Sequence, residues 1–352
     1  MRITIRNRSK GSTIRLRLIT LMFAFLIVLS VVSHAQQTNV GTAGATFLTI
    51  GVGSKAMGLG NAYTAGCDNV EGLYWNPGAI ARVTHSQVGF YTSNWLVGTQ
   101  LNWVGTVLKL SGSDVIGVSF THLGYGEEDV NTLANPYGTG EKWKAADMAF
   151  GLSYARSLTD RFSIGGTAKY ISQSIWHCNA SAFAVDLGLL FITQFNDMRI
   201  AMSISNFGSD LQFDGKDLYR KIDLDPTHSG NNEDLVAKLK TNAWPLPLVF
   251  RTGIMINLYR SEIMRFEFLT DAVRPNNNSE YLNFGLQAHL FDFVLIQGGY
   301  NSLLEKKSQE NFSFGLGLKY AIPGVGIVDA HYGMQMMDIL ENVHSFSIGL
   351  RF

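Results

Sequence analysis

The sequence predicts an all-β protein in which about 14 antiparallel strands close into a transmembrane barrel. Three observations lead to this prediction. Apolar and polar residues alternate along many short segments, the connections between those segments are alternately short and long, and the last segment ends on an aromatic residue, Phe352. The composition agrees, because 12% of the 352 residues are aromatic, 36 are glycine and only 16% are charged. Apolar content spread over many short strands is typical of outer-membrane barrels.

The first 35 residues have the pattern of a secretory signal peptide. Six basic residues between Arg2 and Arg17 precede an apolar run over residues 18–32, which the tripeptide Ser33-His34-Ala35 follows. A signal peptidase recognises small residues at such positions, so we expect a mature chain that begins at Gln36. A membrane-anchor helix is the alternative, but the apolar run is shorter than the roughly 20 residues needed to cross a bilayer.

Removal of this peptide would change the charge balance. Six of the 28 basic residues and none of the 28 acidic residues lie in residues 1–35, which leaves 22 basic and 28 acidic residues and a net charge of −6. A chain with net negative charge lacks the electrostatic basis for binding nucleic acid. The two cysteines, Cys67 and Cys178, are too few for a disulfide framework, although one disulfide and two free thiols both stay open.

Fourteen segments have the alternation of strands, and an even number returns both ends of a barrel to one side of the membrane. They lie at 85–96, 99–110, 114–124, 143–156, 161–174, 181–193, 197–207, 246–259, 262–272, 280–290, 292–301, 311–321, 325–336 and 343–352. In the segment 311–321, for example, Phe314 and Leu316 share one face and Ser313 and Gly315 share the other. One face suits lipid and the other a polar lumen.

A soluble β-sandwich would also alternate, with its apolar face turned inward. The connections decide between the two folds. Every second connection is a tight turn, such as Arg260-Ser261 or Ile322-Pro323-Gly324, whereas the others include the long polar segments 125–142 and 208–245. Short turns on one side and long loops on the other are the outer-membrane topology. The barrel is therefore predicted over residues 85–352.

The segment 208–245 is too long for a structureless connector, so we expect a functional or partly helical external loop. Its apolar residues, Phe213 and Trp244 among them, indicate a protein-binding surface. Its aspartates are Asp210, Asp214, Asp217, Asp223 and Asp225. Their spacing is not that of an EF-hand, so solvation accounts for them better than a calcium site.

Residues 36–84 lack strand alternation and are rich in small residues and turn formers. This composition is typical of a compact segment that packs closely on another surface. A cap on the periplasmic side or a plug inside the lumen would have this composition. We call this segment the hatch.

Several motifs in the hatch and the barrel resemble a known family. In the hatch they are Ala56-Met57-Gly58-Leu59-Gly60-Asn61-Ala62-Tyr63-Thr64-Ala65 and Gly72-Leu73-Tyr74-Trp75-Asn76-Pro77-Gly78. In the barrel they are Ala184-Val185-Asp186-Leu187-Gly188, Ser205-Asn206-Phe207-Gly208 and Pro245-Leu246-Pro247-Leu248-Val249-Phe250-Arg251-Thr252-Gly253. From about residue 45 onward, the chain resembles the PorV/PorQ family of outer-membrane proteins, which is distantly related to the FadL fatty-acid transporters.

The resemblance implies a fourteen-stranded barrel with the hatch in its lumen. Gly58, Gly60, Asn76 and Pro77 would belong to the hatch motif. The family usually has Ala after the Asn-Pro pair, whereas this chain has Gly78. The best-described members act in type IX protein secretion, where they receive cargo through its carboxy-terminal signal domain.

Five basic residues alternate with outward apolar residues, which predicts that they point into the lumen. They are Lys169, Arg199, Arg251, Lys319 and Arg351. They would either pair with hatch carboxylates such as Asp68 and Glu71 or hydrate an aqueous lumen. At the end of the chain, Phe352 closes the outward apolar row of the last strand and is the predicted signal for barrel assembly.

The sequence gives no indication of an enzyme, a cofactor or a metal site. Neither the His-Glu-x-x-His motif nor the Gly-x-Ser-x-Gly motif occurs. Two functional hypotheses remain. The protein is a scaffold with protein partners in a secretion or surface-attachment complex, or a FadL-like transporter that binds a hydrophobic ligand. Outer-membrane lipid surrounds the barrel in both, and the resemblance favours the scaffold.

Overall fold

The structure is a computed structural model that describes residues 40–224, 227, 235–305 and 308–352. The predicted signal peptide and its cleavage site at Ala35 and Gln36 lie outside the described residues. Within the described part of the chain, no helix combines the length and the apolar character needed to cross a membrane.

Among the described residues, fourteen long strands form one closed antiparallel barrel, and three shorter strands lie in a loop. The barrel strands before the loop are β1 (Gln87–Asn94), β2 (Gln100–Lys109), β3 (Asp114–Asp129), β4 (Lys142–Ser157), β5 (Phe162–Ile175), β6 (Cys178–Ile192) and β7 (Arg199–Gly208). The loop strands are β8 (Asp214–Gly215), β9 (Tyr219–Ile222) and β10 (Leu235–Lys238). The remaining barrel strands are β11 (Val249–Arg260), β12 (Met264–Pro275), β13 (Tyr281–Leu290), β14 (Val294–Leu303), β15 (Glu310–Ile322), β16 (Gly326–Met337) and β17 (Val343–Arg351).

Each barrel strand pairs with the next along the chain, and β1 pairs with β17 from Gln87 opposite Arg351 to Asn94 opposite His344. This closure leaves the barrel without a free edge. The prediction of a fourteen-stranded barrel is confirmed. The main differences are that β3 runs to Asp129 instead of 124, that β6 begins at Cys178 instead of 181, that β12 ends at Pro275 instead of 272, and that β11 begins at Val249 instead of 246. Pro247 explains the late start, because proline has no N–H to donate to a strand ladder.

The outer surface of the barrel is apolar. In β15 the side chains of Phe312, Phe314 and Leu316 are 55%, 49% and 49% exposed, whereas Ser313 between them is fully buried. A soluble protein would bury such a row, so this surface is suited to lipid.

The inner surface is less uniformly polar than the sequence suggests, and this corrects the expectation of a polar lumen. Leu101, Trp103, Val107 and Ile171 on β2 and β5 are buried inside the barrel and form one core with hatch side chains. Polar inward side chains lie around the whole barrel, and those on β12 to β17 include Gln287, Gln297 and Gln335. Alternation identifies the inward face but not what packs against it.

The hatch folds into four short helical turns. They are a 3-10 helix at Thr46–Thr49, α1 (Ser54–Gly58), α2 (Gly72–Trp75) and a second 3-10 helix at Ala79–Arg82. Most side chains of residues 52–83 are buried, and they form two apolar cores with inward side chains of the wall. α1 lies along β14 to β17, and the second 3-10 helix lies against β3 to β6.

The long and short connections lie at opposite ends of the barrel, which we call the loop end and the turn end. The longest connection, 209–248, carries β8, a 3-10 turn at Lys216–Leu218 and the hairpin of β9 and β10, so it is mainly extended and not α-helical where it is described. Its two ends meet at Leu211 and Trp244. In outer-membrane barrels the long loops face the cell exterior.

Candidate functional site

The Asn76-Pro77 motif attaches the hatch to the wall. The side-chain Nδ2 of Asn76 donates to the carbonyl oxygen of Leu189 on β6 at 3.0 Å and to that of Thr64 at 3.2 Å. Ser163 on β5 donates from its hydroxyl to the carbonyl oxygen of Gly78 at 2.9 Å. A Cβ on Gly165 or Gly188 would collide with this motif, so two wall glycines leave the space that the hatch backbone needs.

Gly58 and Gly60 place the hatch backbone directly against the opposite side of the wall. A Cβ on Gly58 would lie 2.7 Å from the Cα of Gly315 on β15. Gly60 has a φ of +62°, and a Cβ there would lie 2.6 Å from the backbone nitrogen of Tyr300. Close approach, and at Gly60 a left-handed backbone as well, explains why glycine is required at both positions.

Asp271 on β12 is a hatch anchor that sequence reasoning missed. Its carboxylate Oδ2 accepts hydrogen bonds from the backbone N–H groups of Tyr63 and Thr64, each at 2.9 Å. The side chain is 1% exposed. Its only sequence signal was a carboxylate on an inward row next to apolar Leu269, a pattern that does not identify a partner more than 200 residues away.

The hatch carries charged side chains of its own. Asp68 accepts a hydrogen bond from the ammonium group of Lys55 at 2.8 Å, so its nearest cation is in the hatch and not in the wall. Burial alone would raise the pKa of Asp68, but Lys55 and Arg351 outweigh burial and hold this pKa well below its usual range. Glu71 is 4% exposed. Burial raises the pKa of its carboxyl group to about 8, although Lys55 and Asn69 oppose the shift.

All five basic residues predicted to face the lumen lie on inward rows of their strands. Arg351 donates to Asp329 at 3.1 Å near the turn end. Arg199 and Lys319 are only partly buried. The remaining two, Lys169 and Arg251, are buried and lie in different environments. At the end of the chain, Phe352 is 54% exposed, and its backbone N–H donates to the carbonyl oxygen of Ser86.

Lys169 holds together three of the motifs noted in the sequence. Its ammonium group lies 2.5 Å from Asp186 Oδ2 and donates to Asn206 Oδ1 at 2.9 Å. Asn206 in turn donates from its backbone N–H to Asp186 at 2.8 Å and from Nδ2 to the carbonyl oxygen of Pro247 at 3.0 Å. The network lies where the β6–β7 pairing shifts register, so it stabilises a bulge in the wall.

A cavity of about 330 Å³ lies between the hatch and the wall at the loop end. Its floor is formed by hatch residues including Ile50, Met57, Asn61 and Trp75. Its wall and rim come from the loop-end parts of β11 to β16 and their loops, including Arg251, Tyr281, Glu305, Gln309, Glu310 and Gln335, and from Trp95 after β1. This volume is at the lower end of the range of ligand sites, about 300–1,000 Å³.

Trp75 and Arg251 lie next to each other in the lining of this cavity. The indole Nε1 of Trp75 donates to the carbonyl oxygen of Val52 at 2.7 Å, which fixes the ring. The Arg251 guanidinium lies 5.4 Å from the Trp75 ring centre and 5.9 Å from that of Tyr74, within cation–π range. Burial raises the pKa of the Tyr74 phenol to about 12, although Arg251 opposes the shift.

Sequence reasoning placed Arg251 in the lumen but did not predict the cavity. Trp95, Tyr281 and Gln335 come from three separate connections or strands, and no local motif joins them. Both cysteines are free thiols; Cys67 is buried in the hatch and Cys178 is partly buried at the loop end. Among the described residues, no group of three His, Cys, Asp or Glu side chains could hold a metal ion.

The fold and the position of the hatch define a fourteen-stranded barrel of the outer-membrane type with a segment packed in its lumen. Many solved structures resemble it, and three of them are the following. The CymD monoaromatic hydrocarbon channel is 14% identical, with 86% of this chain and 98% of that chain covered and a TM-score of 0.59. A FadL homologue of Pseudomonas aeruginosa is 11% identical, with 86% and 99% covered and a TM-score of 0.54. The toluene transporter TodX of P. putida is 9% identical, with 86% and 99% covered and a TM-score of 0.53.

At these identities the likeness shows the fold alone. No protein-family model matches the chain, and no curated protein sequence matches it. The similar structures are named as channels or transporters of small molecules. They agree with the transporter alternative better than with the scaffold, and nothing among them supports the PorV/PorQ resemblance specifically.

Proposed function

We propose that this protein admits a small hydrophobic or amphipathic molecule at the outer surface and passes it across the outer membrane. The observation that carries the proposal is the cavity at the loop end, closed from below by the hatch. Its aromatic side chains Trp75, Trp95 and Tyr281 provide apolar surface for a ligand. The channels with the same fold, which are named for hydrocarbons and toluene, add support.

Passage requires that the hatch move, and its contacts differ from side to side. Toward β5, β6 and β12 it is held by the hydrogen bonds of Asn76, Ser163 and Asp271. Toward β14 to β17 it contacts the wall mainly through the close backbone approaches of α1. Inward Gln297 and Asn301 on β14 have side-chain nitrogen and oxygen atoms without a hydrogen-bond partner in the described chain. The side of α1 that faces β14 to β16 is therefore the route that we propose.

A disulfide across this route tests the proposal. A Cβ on Gly333 of β16 would lie 3.3 Å from the Cβ of Met57 in α1, close to the disulfide mean of about 3.8 Å. It would also lie 2.7 Å from the carbonyl oxygen of Ser54, so the reduced double variant must take up toluene as wild type does before oxidation is tested. We would introduce Met57→Cys and Gly333→Cys in a Cys178→Ser background and measure toluene uptake by Gram-negative cells that lack other hydrocarbon channels. Oxidation should reduce uptake to the level of cells without the protein, and a reductant should restore it.

The matched control is a disulfide that does not cross this route. A Cβ on Gly44 would lie 3.7 Å from the Cβ of Leu211 at the base of the long loop. Oxidised Gly44→Cys/Leu211→Cys should keep the uptake of the reduced form. Unchanged toluene uptake in fully oxidised Met57→Cys/Gly333→Cys would exclude the route beside α1. If wild-type cells take up no more toluene than cells without the protein, the transport proposal itself fails for this compound.

A scaffold role is the second candidate, because the long loop presents apolar side chains to solvent. Tyr219, Leu224, Val236 and Leu239 are 49%, 66%, 68% and 53% exposed. Exposed apolar patches commonly mark protein-binding surfaces. A partner in secretion of the type IX kind, or in surface attachment, would bind here and leave the cavity free.

A further inference from the structure

Arg251 is buried in the cavity with part of its hydrogen-bonding capacity unused. The side chain is 4% exposed. Its Nη1 donates to the hydroxyl of Ser205 at 3.3 Å, but its Nε has no hydrogen-bond partner among the described residues. No described carboxylate lies within ion-pair distance of the guanidinium. An unpaired buried donor on a charged group is costly, so a ligand acceptor at this position would be strongly favoured.

Two further polar atoms of the cavity lack partners. The side-chain Nε2 of Gln335 on β16 and the side-chain Oε1 of Gln309 beside β15 have no hydrogen-bond partner in the described chain, and both residues line the cavity. The Gln335 side chain is 1% exposed. These two atoms and Arg251 Nε are themselves buried, and the three side chains line the same space as the aromatic rings. A pure hydrocarbon would leave the guanidinium of Arg251 without an anionic partner.

The charges of the cavity are arranged by depth. Arg251 lies at the floor, whereas Glu305 and Glu310 flank the loop at the rim. Glu305 accepts a hydrogen bond from Asn278 at 2.7 Å, which holds its carboxylate at the rim. A ligand that complements both ends has a negatively charged acceptor at the floor and a hydrogen-bond donor at the rim, with an apolar body between them.

We propose that the cavity binds a small aromatic carboxylic acid that carries a hydroxyl or amino group at its opposite end. The carboxylate accepts from the guanidinium of Arg251, the ring packs against Trp75 and Tyr281, and the donor group lies toward Gln309 and Glu305. This inference rests on the proposed function, because it names the ligand class of the same cavity. The small volume favours a single ring over a long acyl chain.

A series of four ligands tests the proposal on the purified full chain in detergent by isothermal titration calorimetry. The series is 4-hydroxybenzoate, 4-methylphenol, benzoate and toluene. Relative to the first compound, 4-methylphenol lacks the acid, benzoate lacks the hydroxyl, and toluene lacks both. We expect 4-hydroxybenzoate to bind tightest and 4-methylphenol to bind at least about tenfold more weakly, because a site built around a charged hydrogen bond rejects the analogue that lacks it. The affinity for benzoate should lie between those for 4-hydroxybenzoate and 4-methylphenol.

Arg251→Gln should remove most of the difference between 4-hydroxybenzoate and 4-methylphenol. The matched control is Lys319→Gln, which removes an inward basic residue near the turn end and outside the cavity, and it should leave the series unchanged. If Arg251→Gln does not fold, the wild-type series decides alone. Equal affinity of wild type for toluene and 4-hydroxybenzoate would overturn the inference and leave the proposed function intact. Absence of binding by all four, together with absence of toluene uptake, would refute both.

Discussion

Asp271 on the barrel wall accepts two hydrogen bonds from the hatch backbone, and the one from Tyr63 joins residues that are 208 positions apart. The carboxylate accepts from the backbone N–H groups of Tyr63 and Thr64, which would otherwise be buried without acceptors. A single wall side chain thus determines how firmly the middle of the hatch is held.

Asp271→Ala should loosen the hatch without unfolding the barrel. Each buried N–H that loses its acceptor costs about 1–3 kcal/mol, so the population of open hatch should rise at least about tenfold. Cys67, which is 1% exposed in the hatch, reports opening through its rate of maleimide labelling in a Cys178→Ser background. Asp271→Asn keeps one acceptor oxygen, so its rate of Cys67 labelling should lie between those of wild type and Asp271→Ala. Asp292→Ala, in an exposed turn, should label at the wild-type rate. Equal labelling of Asp271→Ala and wild type would count against this anchor.

Gly58→Val should displace α1 from the wall. The added Cβ would lie 2.7 Å from the Cα of Gly315, and this backbone contact cannot be relieved by rotating a side chain. We expect faster Cys67 labelling and increased entry of small hydrophilic solutes in liposome-swelling assays. Gly298→Ala is the matched control, because no heavy atom lies within 4 Å of a Cβ at that outward position. If liposomes with Gly58→Val swell no faster than liposomes with Gly298→Ala, then the position of α1 does not depend on this glycine contact.

The strands were predictable from sequence because period-two alternation follows directly from backbone geometry. The connections at the turn end were also predictable, because they are so short that they can join only neighbouring antiparallel strands. The partners of the inward residues were not predictable. Whether an inward position such as Trp103 meets water or a hatch side chain depends on how the hatch folds, and the spacing of small residues does not encode its path.

The candidate site was predictable only in part. Arg251 was placed in the lumen by alternation, and Asn76-Pro77 was placed in the hatch by resemblance. The cavity depends on tertiary contacts between Trp75, Trp95 and Gln335, which no local pattern connects. The loop at 209–248 was predicted by its length, but its extended hairpin was not, because its apolar residues fit no clear period.

Alkaline pH should loosen the hatch through Glu71. Burial raises the pKa of this carboxyl group from 4.5 to about 8 in the folded protein. A raised pKa means that the protonated form stabilises the docked hatch; this contribution is complete below about pH 4.5 and is lost as pH rises through about 8. Lys55 opposes the shift, while Asp68 and Asp329 support it. Liposome swelling should therefore rise progressively from about pH 5 and level off above about pH 8 in wild type.

Glu71→Gln should remove this pH dependence, because the amide does not ionise. Glu127→Gln, at an exposed position of β3, should keep the wild-type profile. A profile for Glu71→Gln that still rises between about pH 5 and pH 8 would assign the transition to another group.

Lys169→Met should destabilise the barrel wall itself. It leaves Asp186, which is fully buried, without its cation, and breaking a buried ion pair costs about 3–5 kcal/mol. The temperature at which the folded, fast-migrating band is lost in gel electrophoresis should fall. Lys169→Met combined with Asp186→Leu should recover part of the loss, since no unpaired charge is then left buried. Lys319→Met, at a half-buried inward position, should have little effect, and a similar fall in that variant would mean that charge removal alone is responsible.

Replacement of the loop tip separates the two candidate functions. Residues 216–240 carry the exposed apolar side chains, whereas the base of the loop is fixed by the bridge between Leu211 and Trp244 and by the hydrogen bond from Gly44 to Pro245. A Gly/Ser linker in place of 216–240 should therefore leave the barrel, the hatch and the cavity intact. If the protein is a transporter, uptake of toluene and binding of 4-hydroxybenzoate should be unchanged. Loss of co-purifying proteins together with unchanged uptake would instead assign a separate partner-binding role to the hairpin of β9 and β10.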